Sequence, residues 1–150
     1  MKIITKNKHA YHDYEILDTY EAGIVLTGDE VKSIRRGHAS INDAFATVQQ
    51  NELILINCNI SAYSHAYVKG DFSRRSRKLL LHKKEINKLI GEISRKGLTL
   101  IPLKMYFNNK GFIKVEIGVA KHKKKIDKKR DIKERDLTRE ASREIRGKIH

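Results

Sequence analysis

Residues 20–37 of the chain read YEAGIVLTGDEVKSIRRG, and this stretch holds its most specific local signals. The apolar residues 24–26 favour a strand. Thr27, followed by Glu30 three residues later, is typical of a capping box, in which each side chain accepts a hydrogen bond from the other residue's backbone N–H. A helix should therefore begin at Thr27, and Gly37 should end it, because glycine readily adopts the left-handed conformation that closes helices. The stretch predicts a strand that leads into a short basic helix.

The charge of the whole chain indicates the kind of partner. The 150 residues include 32 Lys or Arg and 18 Asp or Glu, which gives a formal net charge of +14. This length allows one domain with a tail, and a charge excess of this sign points to a polyanion. Nucleic acid is the leading candidate, because each phosphate that binds Lys or Arg releases counterions. An anionic membrane surface is the competing partner.

Several classes of protein are excluded by the sequence. No apolar run approaches the roughly 20 residues that a membrane-spanning helix needs, so we expect no membrane insertion. Residues 1–6 are too short and too charged for a signal peptide, and we therefore expect a cytoplasmic protein. Cys58 is the only cysteine, which excludes an internal disulfide and a cysteine zinc cluster, and its apolar neighbours favour a buried thiol.

The N-terminal segment offers few structural signals. Residues 2–12 are polar and basic and predict an extended arm. His9, His12 and Asp13 lie close enough to suggest a metal site, but no second cluster of ligand-type residues accompanies them. We therefore expect neither a metal nor a cofactor.

Two segments in the first half predict antiparallel strands. Residues 14–20 are rich in strand formers and lead through a bend or bulge at Gly23 into residues 24–26, which predicts two strands joined at that glycine. Residues 44–48 and 53–60 flank a polar turn and predict a hairpin.

The second half combines a helix and a hairpin. From Leu79 onward, apolar residues recur with helical spacing and predict the longest helix of the globular part, which ends at Gly97. Residues 98–107 and 112–120 form the clearest hairpin, and Pro102 predicts an unpaired position at a sheet edge or a bulge. Five or six antiparallel strands with attached helices predict a mainly β fold, an antiparallel β-barrel of the oligonucleotide-binding type.

Residues 61–76 show no periodicity and predict a long surface loop. Long loops of this kind tend to be functional or disordered. Basic residues at its end lie near aromatic ones, a combination that suits phosphate contact and base stacking. These residues are Arg74, Arg75, Arg77 and Lys78, with Tyr63, Tyr67 and Phe72 beside them. The aromatic residues could equally pack the loop onto the core.

The C-terminal residues differ in composition from the rest. Residues 121–150 hold 13 Lys or Arg and 6 Asp or Glu, so one fifth of the chain carries half of the excess charge. We divide the chain into an RNA-binding barrel domain, residues 1–120, and a basic C-terminal tail, residues 121–150. Residues 121–125 predict a solvated linker. Beyond this linker lies an apolar stripe with members mostly four residues apart: Ile132, Leu137, Ala141, Ile145 and Ile149. The stripe is too thin for a core helix, so we expect the tail to be disordered alone and helical with a partner. A merely solubilising tail is the alternative.

No motif for catalysis is present in the sequence. A glycine-rich phosphate loop, a paired-cysteine zinc motif, a nucleophile elbow and a zinc-protease motif are all missing, and the seven histidines are scattered. His82 stands at the start of the long helix, where a lone histidine is usually structural or donates to a partner. We therefore predict a binding protein and not an enzyme.

Motifs along nearly the whole chain resemble those of the bacterial SsrA-binding protein family, SmpB. They are Asn7-Lys8, YEAG at 20–23, EVKS at 30–33, RKLLLH at 77–82, GLTLIPL at 97–103, KVEIGVA at 114–120, and DKK at 127–129 with DIKER at 131–135. The resemblance implies an oligonucleotide-binding-type barrel that binds the tRNA-like domain of transfer-messenger RNA. It further implies an adaptor that delivers this RNA to stalled ribosomes in trans-translation.

The resemblance and the basic pattern together give the expected site residues. Those expected to bind RNA are Asn7, Lys8, Glu21, Lys32, Arg35, Arg74, Arg75, Lys78, Leu80, His82 and Lys83. The resemblance places contacts with the RNA elbow at Glu21, Leu80 and His82. The carboxylate of Glu21 can accept hydrogen bonds from base or ribose donors. Those expected to bind the ribosome through the tail are Lys123, Lys124, Lys125, Asp127, Lys128, Lys129, Ile132 and Arg135. The resemblance assigns the start of the tail to the decoding site of the small subunit and the segment from Ile132 onward to a helix in the empty messenger channel.

Two other functions fit the same basic surface. One is a general structured-RNA or ribosome-binding protein without selectivity for transfer-messenger RNA. The other is an RNA-processing enzyme whose site the motifs do not reveal. In either case, as for the adaptor, we expect a monomer.

Overall fold

The structure, a computed structural model, describes residues 1–61 and 73–123. The predictions for Tyr63, Tyr67 and Phe72, and those for the tail from Lys124 onward, lie outside these residues. Among the described helices, none is long and apolar enough to cross a membrane. The described elements are β1 Lys2–Lys6, α1 Ala10–Asp13, β2 Tyr14–Ile24, α2 Gly28–Arg35, β3 Ala39–Ser40, β4 Phe45–Gln49, β5 Glu52–Ile56, β6 Asn59–Ile60, β7 Arg77–Leu80, α3 Lys83–Lys96, β8 Thr99–Phe107 and β9 Ile113–His122.

Six of the strands close into a barrel. Neighbouring strands pair in the order β8-β4-β5-β7-β2-β9, and β9 pairs in turn with β8, so the ring is complete. All of these pairings are antiparallel. The side chains that form the core include Leu55, Met105, Val115 and Ile117, each fully buried. The prediction of a mainly β, antiparallel barrel with attached helices is confirmed.

The capped helix predicted after residues 24–26 is α2. The hydroxyl oxygen of Thr27 accepts a hydrogen bond from the backbone N–H of Glu30 at 3.2 Å, and the carboxylate of Glu30 accepts one from the N–H of Thr27 at 2.9 Å. Gly37 follows the helix with a φ of 78°. Ser33 and Ile34 are buried, so the apolar side of the helix packs on the barrel. The predicted start and stop are both confirmed.

Strand β2 is a single strand of 11 residues, and the prediction of two strands joined at Gly23 is wrong. Gly23 continues the ladder on both sides, opposite Leu80 of β7 and Lys114 of β9. The irregularity lies between Ile16 and Asp18 instead. A Cβ atom at Gly23 would stand 3.3 Å from the Cβ of Leu80, so the glycine marks a close approach of two strands rather than a bend.

The predicted N-terminal extended arm is also wrong. Residues Lys2–Lys6 form β1, which pairs with the C-terminal half of β8, and α1 follows it. Strand β4 pairs with β8 only at Leu100, so without β1 the rest of that edge would expose unpaired backbone groups. Asn7 extends this pairing by donating its backbone N–H to the carbonyl oxygen of Leu103 at 2.9 Å.

The longest described helix begins later than predicted. Leu79 is buried in β7, and α3 begins at Lys83 with His82 as its N-cap. The predicted end at Gly97 is confirmed, since this glycine has a φ of 60°. The expected five or six strands are nine in the described residues. Two of the predicted strands are the single strand β2, β1 was not predicted, and β3, β6 and β7 are two to four residues long and too short to show a period.

Both predicted hairpins are present, but the strand predicted over residues 53–60 is interrupted at Asn57, which has a φ of 62°. It divides into β5 and the short β6, and β6 pairs with β3 instead. Strands β4 and β5 are joined through Gln50 and Asn51, whose positive φ angles suit a tight two-residue turn. In the β8–β9 hairpin the register shifts just after Pro102, which confirms the predicted irregularity there. Strand β9 continues through His122, so residues 121 and 122 belong to the strand and not to the predicted linker.

The single cysteine is structural. Cys58 is fully buried, as predicted, and burial raises the pKa of its thiol to about 11. The thiol therefore stays protonated at neutral pH and acts as a small apolar side chain.

Candidate nucleic-acid interface

Three neighbouring strands build the outer face that carries the candidate site. Leu80 of β7, Gly23 of β2 and Lys114 of β9 lie opposite one another in the ladder. Because side chains alternate between the two faces of a strand, Glu21 shares the outer face with Gly23, while Ala22 between them is buried. The side chains of three sequence-distant segments therefore meet at one place.

Glu21, Leu80 and His82 line one depression of ≈ 490 Å³, together with Lys114. Leu80 is 50% exposed and leaves an apolar surface open to a partner. His82 is held at this place because its backbone N–H donates to the carboxylate of Glu85 at 3.3 Å. The structure thus brings together the three residues that the resemblance assigned to RNA contact.

A second depression, of ≈ 440 Å³, shares Glu21 and Lys114 with the first. It adds Lys110 and Phe112 from the β8–β9 turn, and Phe112 is 63% exposed. The turn is fixed by Asn108, whose side-chain oxygen accepts the N–H of Lys110 at 3.0 Å and that of Phe112 at 2.9 Å. We call this continuous surface the Glu21 face; it consists of Glu21, Leu80, His82, Lys110, Phe112 and Lys114.

The carboxylate of Glu21 is oriented by Tyr106. Tyr106 is 4% exposed, and its hydroxyl donates a hydrogen bond to Oε2 of Glu21. Burial and the neighbouring Glu21 carboxylate both raise the pKa of Tyr106, so its hydroxyl remains a donor at neutral pH. The remaining lone pairs of the carboxylate can accept hydrogen bonds from a ligand.

Lys104 of β8 offsets the negative charge of Glu116, a second carboxylate next to Glu21. Glu116 lies directly opposite Glu21 in the β2–β9 ladder. The ammonium of Lys104 lies 3.4 Å from the carboxylate of Glu116 and 5.4 Å from the ring centroid of Tyr106. Within the described residues, Lys110 and Lys114 have no carboxylate within 4.0 Å. The Glu21 face therefore offers an oriented acceptor, exposed apolar side chains and available cations, which are the groups that contact RNA donors, bases and phosphates.

Four other basic residues that were predicted to bind RNA do not belong to the Glu21 face. Lys83 follows His82 and is exposed, and Lys78 is exposed on β7 and pairs with Glu52 at 3.0 Å. Lys32 and Arg35 are exposed on α2 but line neither depression of the Glu21 face.

The predicted cluster of positive charge at the end of the loop is wrong in part. Arg77 is 1% exposed, and Arg75 and Arg77 both bind the carboxylate of Glu30. The guanidinium of Arg77 also donates to three main-chain carbonyl oxygens, at 2.6, 3.1 and 3.1 Å. Through Glu30, these two arginines connect the chain after the loop to α2. A guanidinium that is buried, such as that of Arg77, needs ion-pair and hydrogen-bond partners of this kind. Arg74 remains exposed.

The root of the tail is fixed to α1. The backbone N–H of Lys123 donates to the carbonyl oxygen of Asp13 at 3.0 Å, and its ammonium donates to that of Tyr11 at 2.8 Å. The other predicted tail residues lie outside the described part of the chain: Lys124, Lys125, Asp127, Lys128, Lys129, Ile132 and Arg135. Asn7 and Lys8 lie near this root and line a separate depression.

Metal binding finds no support in residues 1–61 and 73–123, where no group of three or more His, Cys, Asp or Glu is placed to hold a metal. His12 and Asp13 are two of the three residues whose spacing suggested a metal site. Nδ1 of His12 lies 3.1 Å from Oδ1 of Asp13.

Sequence reasoning missed Tyr106, Phe112 and Lys114. The hairpin that carries them was predicted, but their proximity to Glu21 depends on the pairing of β2 with β9. The alternation of charged and apolar residues from Lys114 onward was the available signal, since it places Lys114 on the outer face.

Comparisons with known proteins identify one family. The family model for the SmpB protein matches residues 4–147. An SsrA-binding protein of Coprothermobacter proteolyticus is 56% identical over 151 residues, which cover 99% of each chain. One of Thermosipho melanesiensis is 50% identical over 147 residues, which cover 98% of this chain and 100% of that protein. A solved structure named "tmRNA-SmpB: a journey to the center of the bacterial ribosome" is 50% identical with a TM-score of 0.64, and the match covers 80% of this chain and 84% of that one.

Small antiparallel barrels that recognise nucleic acid do so through the outer faces of their strands and the adjoining loops. The closed ring of six antiparallel strands with attached helices places this chain in the class of small β-barrels of the oligonucleotide-binding type. Within that class, a match over almost its full length shows that the chain belongs to the SmpB family of SsrA-binding proteins.

Proposed function

We propose that the protein is an RNA-binding adaptor of trans-translation. It binds the tRNA-like domain of transfer-messenger RNA and delivers that RNA to stalled ribosomes, so that incomplete proteins are tagged. Its relatives are SsrA-binding proteins, and its structural relative is named for a tmRNA-SmpB assembly and the bacterial ribosome. The adaptor acts by binding, is not an enzyme, and works in the cytoplasm.

The observation that carries the proposal is the convergence of Glu21, Leu80 and His82 in one depression. A purely basic surface would bind any RNA, because phosphate contacts carry no sequence information. A fixed carboxylate repels phosphates and accepts only from N–H or O–H donors of bases and riboses. Glu21 therefore favours a particular RNA surface over RNA in general.

The two parts of the chain have different tasks in this proposal. The barrel, through the end of β9 and Lys123, holds the tRNA-like domain, and the tail from Lys124 onward acts on the ribosome. The tail start, with Asp127, Lys128 and Lys129, would reach the decoding site, and the segment from Ile132 onward would become helical in the empty messenger channel. The contacts of Lys123 with α1 support a defined starting point for the tail.

Substitution of Glu21 tests this proposal directly. In Glu21→Ala, we expect the affinity for the tRNA-like domain to fall about 10- to 100-fold, because a hydrogen bond to a charged group contributes about 1.5–3 kcal/mol. The barrel should stay folded, since Glu21 is exposed, but the loss of the acceptor for the Tyr106 hydroxyl should lower the free energy of unfolding by about 1–3 kcal/mol. The measurement is a binding titration at one fixed, near-physiological salt concentration, with circular dichroism to verify the fold.

The matched control is Glu15→Ala, an exposed glutamate on the same strand that lines neither depression of the Glu21 face. It removes the same charge and should bind the RNA as the wild type does. Equal affinities of the two variants would remove Glu21 from the interface.

A further inference from the structure

A third depression lies where β1 and α1 cover β8. It has a volume of ≈ 480 Å³, and its lining includes Lys6, Lys8, Tyr11 and Leu103. Its wall is held by Asn7, whose side-chain amide donates to the carbonyl oxygen of Pro102 at 3.1 Å and whose backbone N–H donates to that of Leu103 at 2.9 Å. The depression is therefore a fixed feature of the fold.

Tyr11 presents an open aromatic ring at this depression. The residue is 55% exposed, while its neighbour Ala10 is buried and anchors α1 on the barrel. The carbonyl oxygen of Tyr11 accepts the ammonium of Lys123 at 2.8 Å, so the backbone is held while the ring stays free. An exposed ring on a fixed backbone is a stacking platform for a base of any identity, because every base has a π face.

The depression is positively charged. Lys6 and Lys8 are exposed, and in the described part of the chain neither has a carboxylate within 4.0 Å. The one carboxylate of the lining, that of Glu116, lies 3.4 Å from the ammonium of Lys104. An aromatic ring beside two available ammonium groups suits a nucleotide, which carries a flat base and a phosphate on either side.

We propose that this depression binds an unstacked nucleotide of the same RNA that occupies the Glu21 face. The base stacks on the ring of Tyr11, and the adjoining phosphates contact Lys6 and Lys8. The two sites are neighbours, because Glu116 lines this depression and lies directly opposite Glu21 in the β2–β9 ladder. The inference rests on the proposed function, since it takes that RNA to be the tRNA-like domain.

Binding of the tRNA-like domain to full-length variants tests the inference. We expect Tyr11→Ala to weaken binding about tenfold, the size of one lost base–aromatic stack, and Tyr11→Phe, which keeps the ring, to bind as the wild type does. In Lys6→Ala/Lys8→Ala, the slope of log affinity against log salt should become shallower by roughly 0.7–0.9 for each lysine. This slope reports phosphate contacts independently of any change in stability.

The outcomes separate the inference from the proposed function. If Tyr11→Ala binds the tRNA-like domain normally while Glu21→Ala does not, the nucleotide site is overturned and the proposed function stands. If the wild type shows no preference for the tRNA-like domain, the proposed function itself fails. A Tyr11→Ala defect confined to ribosome binding would overturn the inference as well, because the depression would then belong to ribosomal RNA. An unchanged salt slope in the lysine variant contradicts the phosphate contacts.

Discussion

A chain truncated after Lys123 is expected to support no tagging on stalled ribosomes while keeping most of its affinity for the tRNA-like domain. The truncation leaves the barrel intact, because β9 ends at His122 and the contacts of Lys123 with α1 are retained. A cut after residue 120, the boundary predicted from the sequence, would instead remove the end of a paired strand. The measurement is a reconstituted tagging reaction, with RNA binding assayed in parallel.

We expect the loss of tagging to come from the order of residues in the tail and not from the charge of the tail alone. Residues 124–150 hold 11 Lys or Arg and 6 Asp or Glu, so the truncation lowers the net charge and makes RNA binding less salt-dependent. The matched control is a full-length chain in which residues 132–150 are shuffled, which keeps charge and composition but destroys the apolar stripe. This control should also fail to tag. Normal tagging by the shuffled chain would mean that the tail merely supplies charge.

Arg77→Met is expected to lower the free energy of unfolding by about 3–5 kcal/mol, the usual cost of removing one partner of a buried ion pair. The side chain of Arg77 is fully buried, and its loss leaves the Glu30 carboxylate with less compensation. It also removes the guanidinium donor from three carbonyl oxygens, of which only that of Ser73 has a second described donor, the N–H of Ile60 at 2.9 Å. A small domain has only about 5–15 kcal/mol of stability in total. Urea unfolding followed by circular dichroism measures the change.

The control for Arg77→Met is the neighbouring Lys78→Met. Lys78 and Glu52 form an ion pair at 3.0 Å, but both side chains are about half exposed, so water screens the pair. We expect a change below about 1 kcal/mol for this variant. A similar effect of both substitutions would show that burial of the guanidinium is not the cause.

The ion pair between Arg77 and Glu30 makes the stability of the fold depend on pH in the acid range. Burial alone would raise the pKa of Glu30, but the hydrogen bonds from Arg75, Thr27 and Arg77 outweigh it and hold the pKa below its ordinary value. A carboxyl group whose pKa is lower in the folded state stabilises the fold above its unfolded pKa. This contribution is lost as the pH falls through the lowered, folded pKa. Stability below pH 4.5, the ordinary value for this group, should therefore fall less steeply in Arg77→Met than in the wild type.

Local signals in the sequence were enough to predict the elements whose causes are local. The capping box of Thr27 and Glu30, the stop at Gly37 and the β8–β9 hairpin depend on residues within a few positions of one another. The strand β1 could not be predicted, because Lys2–Lys6 is ordered by the open edge of β8, about 100 residues away in the chain. Gly23 was misread for the same reason, since its cause is the approach of Leu80 from β7.

The candidate site was predictable only where the family pattern marks it. Glu21, Leu80 and His82 were chosen by resemblance, and the structure shows why they belong together, since β7 and β2 are neighbours in the barrel. The roles of Arg75 and Arg77 could not be read from their charge, because the burial of an arginine depends on a distant carboxylate, here that of Glu30. Charge composition predicts a polyanionic partner, but it does not tell which cations are available to it.

Competition binding at fixed, near-physiological salt distinguishes selective recognition of the tRNA-like domain from general RNA binding. Labelled tRNA-like domain of transfer-messenger RNA is bound to the full-length protein and challenged with an excess of an unrelated structured RNA of equal length. The labelled complex is expected to survive, because phosphate contacts alone cannot discriminate between the two RNAs and Glu21 adds the selectivity. Displacement in proportion to competitor concentration would contradict this selectivity, and would identify a general structured-RNA binding protein instead.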